Sequence, residues 1–377
     1  MHKAKAIAAL AGLLTLGLEL PAPAPPVEEL VASEMQKHHV VGAACLLLKD
    51  GQAPKSIFTG QANLEWDTPV NAATVFEIGS VSKQFAAAAI LLLAEQGKLS
   101  VDDPLSKFLT NTPASWADIK IKHLLAHTSG LKNYDGLAGF ELRQHLTQAQ
   151  FIRKLAALPL NFPPGESWAY SNSGYNLLGY IVENVSGEDY GTFLQKNIFA
   201  PLQMTNTTFR DPSQVIPHRA AGYAFTTNGI YLNRDSDLTD LFAAGSIVST
   251  VGDLAKWDAA ITRGNILRES SRKLWWTPAR LNHGQPVRTG REAKAGTYGF
   301  AWFINDLQGH PNIGHTGITS GFSAANEFYP ADHLTIIILS NTDEGTFAGE
   351  LAKKIARLCF SAAAPLAASP DKTNNQK

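Results

Sequence analysis

Apolar residues run almost unbroken from Val40 to Leu48 and stop at Lys49-Asp50-Gly51. A run that short, without helical period and closed by Asp-Gly, predicts a buried strand entering a hairpin. A second strand is expected near Ser56 to Thr59. Three more strand-like runs lie near the other end, at Tyr298–Asn305, Phe322–Phe328 and Leu334–Leu339, before a helix over Phe347–Leu358. Between them, from about Ser80 to Ile261, the pattern is mostly helical. Strands at both ends around a helical middle predict an α+β fold in which the termini share one unit. The expected division is 27–98 with 297–362 for that unit, and 99–296 for a mainly helical insertion.

The amino terminus reads differently. Lys3 and Lys5 precede an apolar run from Ala6 to Leu18, and prolines crowd Pro21 to Pro26. The run is shorter than the roughly 20 residues a membrane span needs, and it fits the apolar core of an export signal. Residues 1–26 are therefore expected to be a signal peptide and proline-rich linker, with a periplasmic or secreted product and no membrane span after cleavage. Residues 363–377 read as a disordered tail.

Composition narrows the chemistry. A net charge of −1 offers no basic face for nucleic acid. Two cysteines, Cys45 and Cys359, cannot build an iron–sulfur cluster or a zinc ribbon, and two reduced, buried thiols are expected of them. His123 and His127 are four residues apart, but no carboxylate completes a metal motif, so neither metal nor cofactor is expected. G-x-S-x-G, Walker A and H-E-x-x-H patterns are absent from the sequence.

What remains is Ser80-Val81-Ser82-Lys83, set before the apolar stretch Phe85–Leu93. On a helix, residues three apart share a face, which brings Lys83 to Ser80. A serine hydroxyl needs a base to become a nucleophile, and a lysine in a dry site can lose its charge and serve. The start of a helix also favours a developing anion. Ser82 reads as a helix-start residue, Glu77 receives no role, and His127 and Ser129 read as structural groups closing a helix.

With Tyr170-Ser171-Asn172 and His315-Thr316-Gly317 following in order, the sequence resembles the serine β-lactamase and DD-peptidase superfamily, in its class C-like branch. The three elements are similar to S-x-x-K, Y-x-N, and K-T-G or H-x-G. Further similar segments are His123–Leu131, Pro164-Gly165, Asn172–Gly179, Pro201–Met204 and Ala244–Thr250. The resemblance implies an antiparallel sheet flanked by terminal helices. It implies catalysis by Ser80, Lys83 and Tyr170, with Lys83 or Tyr170 as base and the Tyr170 phenol acidified by Lys83. Asn172, His315, Thr316 and Gly317 would bind substrate, Asn172 also holding Lys83. The backbone N–H groups of Ser80 and Ile318 would form the oxyanion hole. Histidine at 315 supplies less charge for a substrate carboxylate than lysine would. The implied activity is that of a peptidase or esterase on D-alanyl peptides or small esters. A β-lactamase and a non-catalytic penicillin-binding scaffold are the alternatives. The expected partner is a small molecule or short peptide. Cleft walls are expected within Asn228–Asp240 and Arg280–Gly296.

Overall fold

A strand with no polar alternation needs cover on both faces, and Gly42–Lys49 has it. Ala43, Cys45 and Leu47 pack in one core with Val31, Ile336, Ile338, Leu351 and Ile355. Ala44 and Leu46 face a second, larger core with Phe85, Ile90, Ile337 and Leu339. The computed structural model describes residues 26–361, apart from 136, 138–139, 141–143, 212, 230, 235–236 and 291–295. The expected export signal within residues 1–25 and the expected tail 363–377 lie outside the described residues.

The central element is an eight-stranded sheet. Its spatial order is Thr68–Pro69, Lys55–Asn63, Gly42–Lys49, Leu334–Ser340, Phe322–Tyr329, His310–Thr319, Phe303–Leu307, Thr297–Tyr298. Every neighbouring pair is antiparallel. The terminal helices Val27–Lys37 and Phe347–Ser361 cover one face, through residues such as Val31, Met35, Leu351 and Ile355. The other face packs on Lys83–Glu95, a helix buried nearly all round because it is almost wholly Ala, Leu, Ile and Phe.

The central region departs from the expected helical text. Besides the helices Asn172–Ser186 and Val251–Arg263, it contains the short strands Thr208–Phe209, Tyr223–Phe225, Tyr231–Asn233 and Ile247–Ser249. Ile247–Ser249 pairs with Phe76–Glu77, just before the nucleophile candidate, so this part of the central region is tied to the turn that carries Ser80. Both cysteines are free thiols; Cys45 is buried, which pushes its pKa up to about 12, and Cys359 is half-buried.

Candidate active site

Ser80 and Lys83 do not share an α-helix. Ser80 lies in a 3-10 turn, Gly79–Ser82, and the α-helix starts at Lys83 itself. The tighter turn eclipses positions i and i+3, and the Lys83 Nζ donates to Ser80 Oγ at 2.8 Å. A second bond, 2.7 Å to the carbonyl of Ala244, fixes the amine from the opposite side. Lys83 is fully buried. Burial pushes its pKa well below the usual lysine range, partly countered by the Asp135 carboxylate.

Tyr170 completes the group. Its ring centre is 4.9 Å from the Lys83 Nζ, and the Ser80 hydroxyl lies near enough to its phenol to favour the ionised form. The acidified phenol expected from Lys83 is not what the structure holds. Burial raises the Tyr170 pKa above the ordinary tyrosine value, and the nearby Ser80 hydroxyl offsets only part of it. The amine is thus the group that moves towards working pH, and the phenol moves away.

Two glycines bring the Ser80 turn against the strand His310–Thr319. A Cβ at Gly317 would lie 1.9 Å from the Ile78 carbonyl oxygen and 3.1 Å from the Ser80 nitrogen. A Cβ at Gly79, where φ is +50°, would lie 2.6 Å from the Ile318 nitrogen. The backbones of Ser80 and Ile318 therefore meet with no side chain between them. Gly317 is a substrate-binding position by the resemblance; the space its missing side chain leaves is filled by the nucleophile turn.

Other expected contacts change. Asn172 does not hold Lys83: its backbone N–H donates to Asn133 Oδ1 at 2.9 Å, and its own Oδ1 is buried without a hydrogen-bond partner. That oxygen is unoccupied by any protein donor, which suits a substrate N–H. Thr316 stands on the strand face opposite His315 and Gly317, its methyl 2.9 Å from where a Cβ of Gly349 would be. It thus faces the terminal helix rather than Lys83. His315 has both ring nitrogens occupied, by Tyr298 Oη at 3.1 Å and the Thr316 carbonyl at 2.6 Å. Burial and the neighbouring Lys83 push its pKa down to about 3. It is neutral and turned inward, so it presents neither charge nor donor to a substrate.

His127 closes no helix with its side chain. Its ring lies 4.3 Å from that of Tyr170 and bonds Ser171 and Tyr298. Ser129 Oγ does act locally, accepting from the Leu131 N–H at 3.3 Å. Ser82 Oγ accepts from the Ile247 N–H at 3.1 Å instead of capping the helix it precedes. His123 and His127 address different partners, since His123 Nδ1 accepts from Lys120 N–H at 3.2 Å. Of the expected walls, Asp240 receives the N–H groups of Gln144, His145 and Leu146. Asn282 bonds the Pro164 carbonyl at 2.9 Å, below Tyr170 in sequence. Residues 230, 235–236 and 291–295 of those walls lie outside the described residues.

Sequence reasoning missed three contributors: Ala244, Tyr298 and Glu77. Glu77 is buried, paired at 2.6 Å with Arg210, and accepts from Thr319 Oγ1 at 2.7 Å. It therefore ties the Ser80 turn to the end of the strand carrying Ile318. Its place three residues before Ser80 was the available signal.

Fold and site together define a class: a two-core antiparallel sheet with a serine–lysine pair at the mouth of a buried helix. The chain belongs to the Beta-lactamase family, whose model matches residues 27–359. It is similar to Penicillin-binding protein 4* of Bacillus subtilis (strain 168), at 31% identity over 304 residues. That match covers 76% of this chain and 65% of the relative, so the chain spans about two-thirds of that protein's length. Among solved structures, an octameric penicillin-binding protein homologue from Pyrococcus abyssi superposes with TM-score 0.77 at 26% identity, over 89% of this chain and 77% of that one. The D-amino acid amidase from Ochrobactrum anthropi SV3 shares the fold, with TM-score 0.78 at 21% identity, over 90% of this chain and 98% of that one.

Proposed function

We propose that the protein is an exported serine hydrolase that acylates Ser80, with D-alanyl peptides or small esters as its substrate class. One observation carries this: a buried amine with a lowered pKa sits 2.8 Å from the Ser80 hydroxyl. In its neutral form the amine keeps one N–H on the Ala244 carbonyl and turns its lone pair to the serine proton, reversing the bond it otherwise donates to Ser80. As the Ser80 Oγ bonds to the substrate carbonyl carbon, its proton passes to Lys83. The oxyanion that forms is met by the N–H groups of Ser80 and Ile318. The phenol of Tyr170, held protonated by burial, returns a proton to the departing amine or alkoxide as the C–N or C–O bond breaks. Lys83 passes the proton it took to the Tyr170 phenolate, which resets both; water then attacks the ester and gives a proton to Lys83, which returns it to Ser80 Oγ as the acyl–Oγ bond breaks and the acid leaves. Every acid, base and oxyanion donor in this sequence comes from the protein.

Neutral His315 gives no charge to a substrate carboxylate, which favours uncharged small esters and amides over β-lactams and over peptides that end in a free D-alanine. The resemblance to a penicillin-binding protein supports acylation by penicillin even where turnover is slow. Labelling purified protein with a fluorophosphonate and a fluorescent penicillin tests the reading. Both labels must vanish in Ser80→Ala. Turnover of nitrocefin, short p-nitrophenyl esters and D-Ala-D-Ala peptides then ranks the substrates. A label that survives Ser80→Ala, or wild-type protein that turns over none of the three, overturns the proposal. Among the described residues no helix is long and apolar enough to cross a membrane. The amino-terminal residue of protein recovered outside the cytoplasm checks export.

A further inference from the structure

Behind Lys83 runs a buried chain of hydrogen bonds whose direction follows from its two ends. The Ser171 N–H can only donate, and it meets His127 Nδ1 at 3.1 Å, so Nδ1 is bare. Burial and the nearby Lys83 hold His127 neutral, which places its proton on Nε2. That Nε2–H donates to Tyr298 Oη at 3.2 Å. At the far end the Thr316 carbonyl can only accept, so His315 Nδ1 carries the proton, at 2.6 Å. His315 Nε2 is therefore bare and accepts from Tyr298 Oη at 3.1 Å. The tyrosine hydroxyl receives one hydrogen bond and donates one. A flip of either tautomer sets two donors or two lone pairs against each other.

The three side chains are at most 2% exposed. Around them stand Tyr170, Tyr175, Trp168 and Phe303, with Lys83 as the charged neighbour. The chain begins at Ser171, between Tyr170 and Asn172, and ends at Thr316, two residues before Ile318. It joins the segment carrying the phenol to the strand carrying an oxyanion donor, across 171 residues of sequence between His127 and Tyr298.

We propose that Tyr298 is a positioning residue of the Ser80 site, whose hydroxyl bridges His127 and His315, set in opposite tautomers by Ser171 and Thr316, and thereby sets the distance between Tyr170 and the Ile318 strand. The proposal rests on the hydrolase reading above for its catalytic consequence, but not for its tautomers. Fixed geometry of this kind matters because small displacements of reacting groups cost large factors in rate. His315 serves the same end, ordering the strand from behind without touching substrate.

The test has two arms on the full chain. In protein labelled with ¹⁵N at histidine, two-bond ¹H–¹⁵N spectra, assigned with His127→Gln and His315→Gln, should show His127 protonated at Nε2 and His315 at Nδ1. Neither ring should titrate between about pH 5 and 9. Equal tautomers, or a ring that titrates in that range, overturns the proposal without any reference to activity. In the second arm, Tyr298→Phe should lower kcat on a p-nitrophenyl ester about 10–100-fold, while KM changes less than about threefold. Labelling of Ser80 by fluorophosphonate should slow in parallel. A folded Tyr298→Phe protein with unchanged kcat overturns the positioning role. If wild-type protein lacks both label and turnover, the hydrolase reading fails instead and the spectra still judge the chain. If Tyr298→Phe does not fold, His315→Leu, which removes the far bond of Tyr298, takes its place, and a folded protein with unchanged kcat overturns the positioning role.

Discussion

Lys83 draws its function from two opposed demands. A buried ammonium is costly, and burial lowers its pKa, yet the residue keeps two hydrogen bonds and the faces of Tyr170 and Tyr175 at 4.9 and 5.4 Å. A base must be unprotonated, so kcat/KM should fall with a slope of one as pH drops through the Lys83 pKa, and the plateau should lie on the alkaline side of that point. Lys83→Arg keeps a permanent charge and should remove activity by about 10²–10⁴-fold at every pH. A pH–rate profile from about pH 4 to 9 checks both; an unchanged acid limb in Lys83→Arg would assign it elsewhere. Glu77 makes a second residue-scale case. Its carboxylate neutralises Arg210 in a site that is almost dry. Glu77→Gln keeps the shape and the Thr319 bond but strips the counter-charge, and should cost about 3–5 kcal/mol in urea unfolding. A loss below about 1 kcal/mol would show that the pair is solvated enough to be dispensable.

Elements show what could be read in advance and what could not. Gly42–Lys49 and Leu334–Ser340 were legible because both their faces are buried, which leaves unbroken apolar text. The strand His310–Thr319 was not legible by that rule. Its sequence HPNIGHTGIT trades apolar side chains for polar partners, as Asn312 with Glu327 and His315 with Tyr298, and for glycine contacts. Only the resemblance placed it. Ser80 and Lys83 were legible because their relation is local. Tyr298 was not, because its bonds to His127 and His315 depend on how strands and insertion fold together. The short strand Ile247–Ser249 escaped for want of length, since three residues carry no period. The close approach at Gly317 gives this scale its prediction. Gly317→Ala puts a methyl 1.9 Å from the Ile78 oxygen, which no rotamer change relieves. The strand must shift from the Ser80 turn, so Ser80 labelling should slow by about 10²-fold or more, while thermal unfolding stays cooperative. Labelling at the wild-type rate would mean that the two backbones do not need to touch.

At the scale of the whole molecule, buried ionisable groups oppose one another over the same pH range. Asp258 is buried among Asn326, Gln84 and Trp257, and burial pushes its pKa up to about 7 despite the 2.9 Å bond from Asn326. Glu327, with Asn312 as its partner, is likewise raised to about 7. An unfolded carboxyl titrates near 4. Between about pH 4 and 7 the folded chain therefore keeps protons that the unfolded chain has released, and stability from these two groups is lost as pH rises. The histidines work the other way. His123 and His315 are pushed down to about 4 and about 3, and His127 also lies well below its usual value. The unfolded chain holds their protons up to about pH 6.5, so stability from them is gained as pH rises to that point. The two sets therefore pull wild-type stability in opposite directions across the range, and part of the carboxyls' effect is masked. A variant exposes it. Asp258→Asn keeps the bond to Asn326 and removes one titration. Its stability relative to wild type should climb between about pH 4.5 and 8, by on the order of 1–3 kcal/mol. Urea unfolding of both proteins at the two pH values measures the difference. A difference that stays flat, or that grows towards acid, would mean that Asp258 is ionised in the folded protein and that the core around Gln84, the residue after Lys83, is wetter than its packing implies.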